Sequence, residues 1–443
     1  MNFFKSLYLN PRFYAYLSLI SGMFLLSFWL PGLYNIAWFF SFILLILFLL
    51  DIIILFKNVK GIEAKRILAD KLSNSDKNPI AIQIKSNYPL RSYVNVIDEL
   101  PVQFQKRDFQ YDFALKPLEK YNFDYTVIPV ERGEYHFGSL HVFVSSPLRI
   151  VKKRYSFEHD KTVAVYPSYI QMRKYEFLAL NNRLTEYGLK KIRRIGHTME
   201  FEQIKNYILG DDVRTINWKA TAKKGELMVN QYQDEKSQPV YSLIDTGRVM
   251  KMPFEELKLL DYAINSTLAF SNIAIKKNDK AGLITFSHKI EQILPANNKR
   301  SHINSINEAL YNIDTQFLDA DYGLLYAIVK RQIKHRSMLL LYTNFEHLSA
   351  MRRQLPYLLG ISRQHLLVTI FFENTELDTL ISNNAEDLQG IYHKAIAEKF
   401  AFEKRQIVKE LENKGIHAIL TKPKNLSVNV INKYLEFKAK GLI

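Results

Sequence analysis

VYSLID, residues 240–245, is a compact apolar run of strand length that stops on a carboxylate. Four runs of the same kind follow it: AGLITFS (281–287), MLLLYTN (338–344), LLVTIFF (366–372) and HAILTK (417–422). Continuous rather than alternating apolarity marks strands buried on both faces. Most of the runs are separated by helical patterns. Leu257, Leu260, Ile264 and Leu268 are spaced 3, 4 and 4, and Val428, Ile431 and Leu435 are spaced 3 and 4, so each set forms a stripe that packs on a sheet. Strand alternating with helix predicts an α/β fold over residues 236–443, a mainly parallel, doubly wound sheet covered on both sides. Such sheets bind ligands at the carboxyl ends of their strands, which puts Asp245 and Asn344 where a site would lie.

Upstream the period changes to two. Ile80, Ile82 and Ile84 alternate with Ala81, Gln83 and Lys85, and Phe123, Tyr125 and Val127 repeat the pattern, as do Leu140, Val142 and Val144. Half-buried strands read this way, and Ser86-Asn87 with Pro89, Pro101 and Arg132-Gly133 supply the turns between them. Residues 61–167 are therefore expected to form a small antiparallel β-sandwich, an interaction or spacer module without chemistry of its own. A linker, 168–235, joins it to the α/β domain.

The first 60 residues carry two apolar stretches, the uncharged FYAYLSLISGMFLLSFWL (about 13–30) and IAWFFSFILLILFLL continued past Asp51 (about 36–56). Each approaches the ~20 residues that a helix needs to cross a bilayer core. Five residues, Pro31 to Asn35, leave room only for an antiparallel hairpin. Lys5 and Arg12 precede the first stretch, Lys57, Lys60, Lys65 and Arg66 follow the second, and the turn between has no basic residue. The positive-inside rule then places both ends, and all that follows, in the cytoplasm. Asp51, in the last third of the second stretch, is expected to reach toward the interface.

Composition limits the chemistry. With 48% apolar and 23% charged residues the 443-residue chain is ordinary folded protein. No cysteine occurs, so disulfides, thiol nucleophiles and thiolate metal sites are excluded. A net charge of +16 suits an anionic membrane face, nucleic acid or an acidic partner. Nucleic acid is the least suited of these, since aromatic residues are not interleaved with the basic ones as in single-strand platforms. The run Lys190, Lys191, Arg193 and Arg194 can meet anionic lipid or serve as a solvated linker. No P-loop, HExxH or GxSxG pattern is present.

Chemistry is concentrated in YILGDDVRTINWKATAK, Tyr207 to Lys223. Gly210 suits a turn, Asp211 or Asp212 suits the cap of a helix starting near Val213, and Gly225 suits its end. Arg214 and Trp218, spaced i, i+4, can stack, with Lys219 beside them. Adjacent carboxylates at a helix start point in different directions, whereas an acid–base pair must face one substrate. A capped structural joint is the expectation, and a hydrolase using Asp211, Asp212 and His197 is the alternative.

The stretch Glu200 to Glu235 with LIDTGRVM from Leu243 closely resembles the core of the bacterial "domain of unknown function 58" family. ERGEYHFG (131–138), SSPLRI (145–150), KTVAVYP (161–167) and NVINKYLEFKAKG (429–441) extend the resemblance over most of the chain. Lys205 departs from it, standing where the family usually has arginine. The resemblance implies an inner-membrane protein with a von Willebrand factor A-like (Rossmann-like) domain, often associated with MoxR-type AAA+ ATPases, and no activity of its own. It also implies a place for a metal. Von Willebrand A domains hold Mg²⁺ with Asp-x-Ser-x-Ser and a later Thr and Asp. Here Gly247 and Val249 replace the serines after Asp245, and Asn344 stands where the second carboxylate would be. Magnesium needs hard oxygen ligands in tight geometry, so no metal or other cofactor is expected, and Arg248 is expected to pair with Asp245. The combined expectation is a multi-pass, cytoplasm-facing, non-enzymatic adaptor or scaffold.

Overall fold

The computed structural model describes residues 3–58, 60–106, 109–157, 160–173, 200–209, 211–233, 237–254, 257–315, 317–382 and 387–442. Contacts divide the chain into two compact units, Met1–Tyr166 and Pro167–Ile443. The N-terminal hairpin and the sandwich, expected as separate domains, belong to the same unit.

In the first unit, helix Pro11–Leu26 packs against helix Gly32–Phe56. Their side chains face outward to an unusual degree for apolar residues, Leu25 at 73% exposed, Leu19 at 63%, and Phe39 and Phe42 at 62%. Gly32–Phe56 is long and apolar enough to cross a membrane. The first helix, with 16 residues, rises about 24 Å and is shorter than expected.

Three small sheets follow. One has five strands in the order Leu7–Leu9, Val151–Phe157, Leu140–Ser145, Ser92–Asp98, Gln110–Leu115. A second pairs Ile62–Ile67, Asn78–Ser86 and Lys120–Val127 in antiparallel register. The third sets Lys161–Tyr166 between Lys71–Ser73 and Gly133–Phe137. Period-two residues from the first two, Ile82, Ile84, Val94, Val96, Val142 and Val144, form one core. Leu7–Leu9, before the first helix, had no signal in the sequence. It is too short to show alternation and is held by pairing with Val151–Lys153.

The second helix does not end at the sandwich; it enters it. Leu47, Phe48, Ile52, Leu55 and Phe56 pack on the sandwich core. Asp51 does not reach toward an interface as expected. It is fully buried, and its Oδ2 accepts the N–H groups of Ile150 and Val151 at 3.0 and 2.8 Å. These are the donors at the start of a strand, and a carboxylate meets both. At the helix end, buried Lys153 donates to the carbonyls of Leu55 and Asn58 at 3.1 and 3.0 Å, satisfying groups that the helix leaves open.

The second unit is built on a six-stranded sheet. From edge to edge its strands are Ile290–Asn297, Lys280–Phe286, Pro239–Asp245, Met338–Tyr342, Leu366–Phe372 and His417–Thr421. Counted in chain order within the sheet this is 3-2-1-4-5-6, parallel except for Ile290–Asn297. Pro295 interrupts the apolar pattern of that strand, so the sequence did not mark it. At an edge the missing N–H costs no ladder bond. Helices Leu259–Lys276, His302–Tyr311 and Leu426–Ala439 cover one face, and Tyr322–Gln332, Leu348–Ser362 and Leu388–Asn413 cover the other.

Candidate functional site

The chain leaves Pro239–Asp245 toward one side of the sheet and leaves its neighbour Met338–Tyr342 toward the other. A crevice opens where such connections diverge. Asp245 sits there, 1% exposed. Its Oδ1 accepts the Gly247 N–H at 2.8 Å, and its Oδ2 accepts the hydroxyls of Thr343 at 2.7 Å and Tyr322 at 3.2 Å. The two hydroxyls are themselves 2.6 Å apart. Burial pushes the Asp245 carboxyl up to about 6, against the pull of these three donors.

The four positions expected to match a metal site, Asp245, Gly247, Val249 and Asn344, make separate contacts. Gly247 lies beside Asp245, and a Cβ placed on it would come within 2.9 Å of Asp245 Oδ1 and 3.1 Å of the Leu318 carbonyl. Glycine is needed there for close approach. Val249 packs on the main core, and Asn344 accepts from Lys404 Nζ at 2.6 Å. Among the described residues no three Asp, Glu, His or Cys side chains cluster as metal ligands. The residues present do not fit Mg²⁺, because the one carboxylate is already filled by three donors. Arg248 does not pair with Asp245 as expected. Its Nε bonds Asp319 at 2.8 Å in solvent, since Gly247, Thr343 and Tyr322 enclose the carboxylate.

Beside this centre a cavity of about 640 Å³ opens at the ends of the last three strands. Phe254, Phe372, Leu377 and Phe400 give it apolar walls. Lys404 reaches into it from helix Leu388–Asn413, and burial lowers its ammonium to about 8. Glu346, His347, Arg405 and Lys422 stand exposed around it. Tyr322, Thr343 and Lys404 were not singled out from sequence. Lys404 did carry a signal: it shares a helical stripe with buried Ala397, Ile407 and Leu411, a position otherwise apolar.

The Tyr207–Lys223 segment is an excursion between two antiparallel strands, Glu200–Asn206 and Met228–Gln233. The expected single helix is two pieces. Asp212 caps a short 3₁₀ turn, Val213–Thr215, by accepting the Arg214 N–H at 2.9 Å. The backbone extends at Ile216 and Asn217, and Asn217 caps helix Trp218–Lys224 by accepting the Ala220 N–H at 3.0 Å. Gly225, at φ +78°, ends it in the left-handed conformation that glycine tolerates. Asp211 accepts the Ile208 N–H at 3.1 Å and pairs with Lys205 at 3.0 Å. That N–H bond first, and Lys205 second, hold its carboxyl below the usual range. Lys205 thus makes a single-point pair with Asp211. The break at Asn217 takes Arg214 and Trp218 off a common helix, and no stack between them is formed. Trp218 is 70% exposed, as are Ile208 (64%), Leu209 (97%) and Val213 (65%). Lys219 is exposed beside it. Gly210 and His197, with the 190–194 basic run, lie outside the described residues.

Residues 203–370, which contain both this segment and most of the sheet, match the family described as "Protein of unknown function DUF58". "Uncharacterized protein YeaD" of Bacillus subtilis (strain 168) is 29% identical over 180 residues, 40% of this chain and 42% of that protein. The match thus spans less than half of the relative's length. Similar solved structures include the conserved hypothetical protein BatB from Bacteroides thetaiotaomicron, with a TM-score of 0.30 and 12% identity over 46% of this chain and 100% of that one. Another is a CARDB domain from Pyrococcus furiosus, with a TM-score of 0.17 and 13% identity over 24% of this chain and 91% of that one.

Proposed function

We propose that this chain is a membrane-anchored, cytoplasm-facing adaptor that works by binding a protein partner and not by catalysis. The observation that carries the reading is the Tyr207–Lys223 segment. Asp211 and Asp212 are each tied into local backbone, while Ile208, Leu209, Val213 and Trp218 stand in solvent. Exposed apolar side chains close in sequence on one short segment favour an interaction site. Exposed tryptophan is also the side chain most often found to anchor an interface. A hydrolytic pair would need both carboxylates directed at one reacting atom, and these two serve separate turns.

The strand order 3-2-1-4-5-6 supports a von Willebrand A-like sheet for the partner-bearing unit. The partner expected from the family resemblance is a MoxR-type AAA+ ATPase. Two outward-facing apolar helices support anchoring by an antiparallel hairpin in the inner membrane. A photocrosslinking residue placed at position 218 in living cells tests the reading. Crosslinks to an AAA+ subunit are expected, and crosslinks confined to lipid or to the chain itself would refute it.

A further inference from the structure

We propose that the pocket lined by Asn10, Arg12, Tyr93, Arg149 and Lys152 is a phosphate site that holds the headgroup of an anionic phospholipid. The inference rests on the membrane reading of the two N-terminal helices. The pocket lies at the end of the hairpin where both helices meet the sandwich. The Asn10 N–H bonds the Ile150 carbonyl at 2.9 Å, Leu9 pairs with Val151, and Asp51 of the second helix holds the N–H groups of Ile150 and Val151. The turn that carries Arg149 is thereby fastened to the start of the first helix and to the end of the second. With the apolar helices in the bilayer, this turn stands at headgroup depth.

The pocket encloses about 430 Å³. Arg12, Arg149 and Lys152 bring three cations to it, and its one carboxylate, Asp112, already accepts from Asn95 at 2.6 Å and Gln110 at 2.9 Å. No carboxylate pairs with any of the three cations among the described residues. Arg149 is preset: its backbone is left-handed at φ +54°, and its guanidinium lies 3.3 Å from the centre of the Tyr93 ring. Stacking leaves the edge N–H groups of the guanidinium free for an oxyanion. Arg12 follows Asn10 at the start of a 16-residue helix, where the backbone dipole favours negative charge. Three cations, one of them a preset guanidinium, and a helix start converge on a polar recess next to lipid, the arrangement that phosphate requires.

The test uses the full chain in nanodiscs of phosphatidylcholine with a minor fraction of phosphatidylglycerol, released into the gas phase for native mass spectrometry. Wild-type protein is expected to retain one phosphatidylglycerol in preference to phosphatidylcholine. Arg12→Gln, Arg149→Gln and Lys152→Gln should each lower the retained fraction about fivefold. Arg149→Lys, which keeps charge and disturbs the turn less, should retain more lipid than Arg149→Gln. Equal retention by wild type and the triple Gln variant would overturn the proposal. Displacement of the lipid by millimolar inorganic phosphate, with no preference between the two lipids, would also overturn it and assign the pocket to free phosphate. Alkaline carbonate extraction separates the two claims. A chain that is extracted from membranes has lost the hairpin reading, whereas one that resists extraction but retains no lipid has lost only the headgroup site.

Discussion

Replacing Asp245 by Asn should change how stability depends on pH, and the size follows from the burial of one carboxyl. In the folded chain the group titrates at about 6, against about 3.9 when unfolded. A raised folded value means that the protonated acid is the better fit. The contribution is complete at pH below the unfolded value and is lost as pH rises through the folded one. A rise of that size corresponds to roughly 3 kcal/mol at neutral pH, about 2 kcal/mol of it accumulating between pH 4.5 and 7.5. Asn keeps the Gly247 bond through its oxygen and offers its amide to the Thr343 and Tyr322 hydroxyls, which can accept. It is thus a permanent copy of the protonated acid. Thermal unfolding of the solubilised full chain, followed by circular dichroism, should show the Asn variant gaining on wild type by about 4–8 °C across that interval. A constant difference between the two would refute the reasoning, because it would mean that Asp245 is ionised throughout.

Asn217→Ala removes the cap of helix Trp218–Lys224 and should cost about 1 kcal/mol in denaturant unfolding, while Trp218→Ala, at an exposed position, should change stability by less than ~0.5 kcal/mol. Asp51→Leu leaves the N–H groups of Ile150 and Val151 buried without an acceptor and should cost about 2–4 kcal/mol, read as earlier proteolysis of the sandwich in a urea series. Lys404 should be half-acetylated at a lower pH than the exposed lysines in competitive labelling, with a midpoint near 8. A midpoint at the ordinary lysine value would show that water reaches it freely.

Elements with a full period of hydrophobic contrast were legible in the sequence. The five parallel strands are unbroken apolar runs, and Ile80, Ile82 and Ile84 alternate because one face of their strand is buried. Elements whose stability is borrowed from neighbours were not. Leu7–Leu9 exists only as a partner of Val151–Lys153, and the Pro295 strand only as an edge. The site divides in the same way. Capping by Asp212 is local chemistry, readable from adjacent residues, although the extended step at Ile216 and Asn217 that splits the helix was not. The hydroxyls that hold Asp245 come from positions 322 and 343, so nothing near Asp245 in sequence announces them. Arg248 was assigned to Asp245 from adjacency, and the sealed hydroxyl cage sends it to Asp319 instead.

The central claim is that the exposed apolar tip of the Tyr207–Lys223 segment docks a partner while its two aspartates do no chemistry. It is tested most directly by binding of the nanodisc-embedded full chain to a purified MoxR-type AAA+ ATPase, measured by interferometry. Saturable binding is predicted, weakened at least about tenfold by Leu209→Ser with Trp218→Ser, as expected for interface anchors, and unchanged by Asp212→Asn. Absence of binding, or binding indifferent to Leu209 and Trp218, would contradict the account.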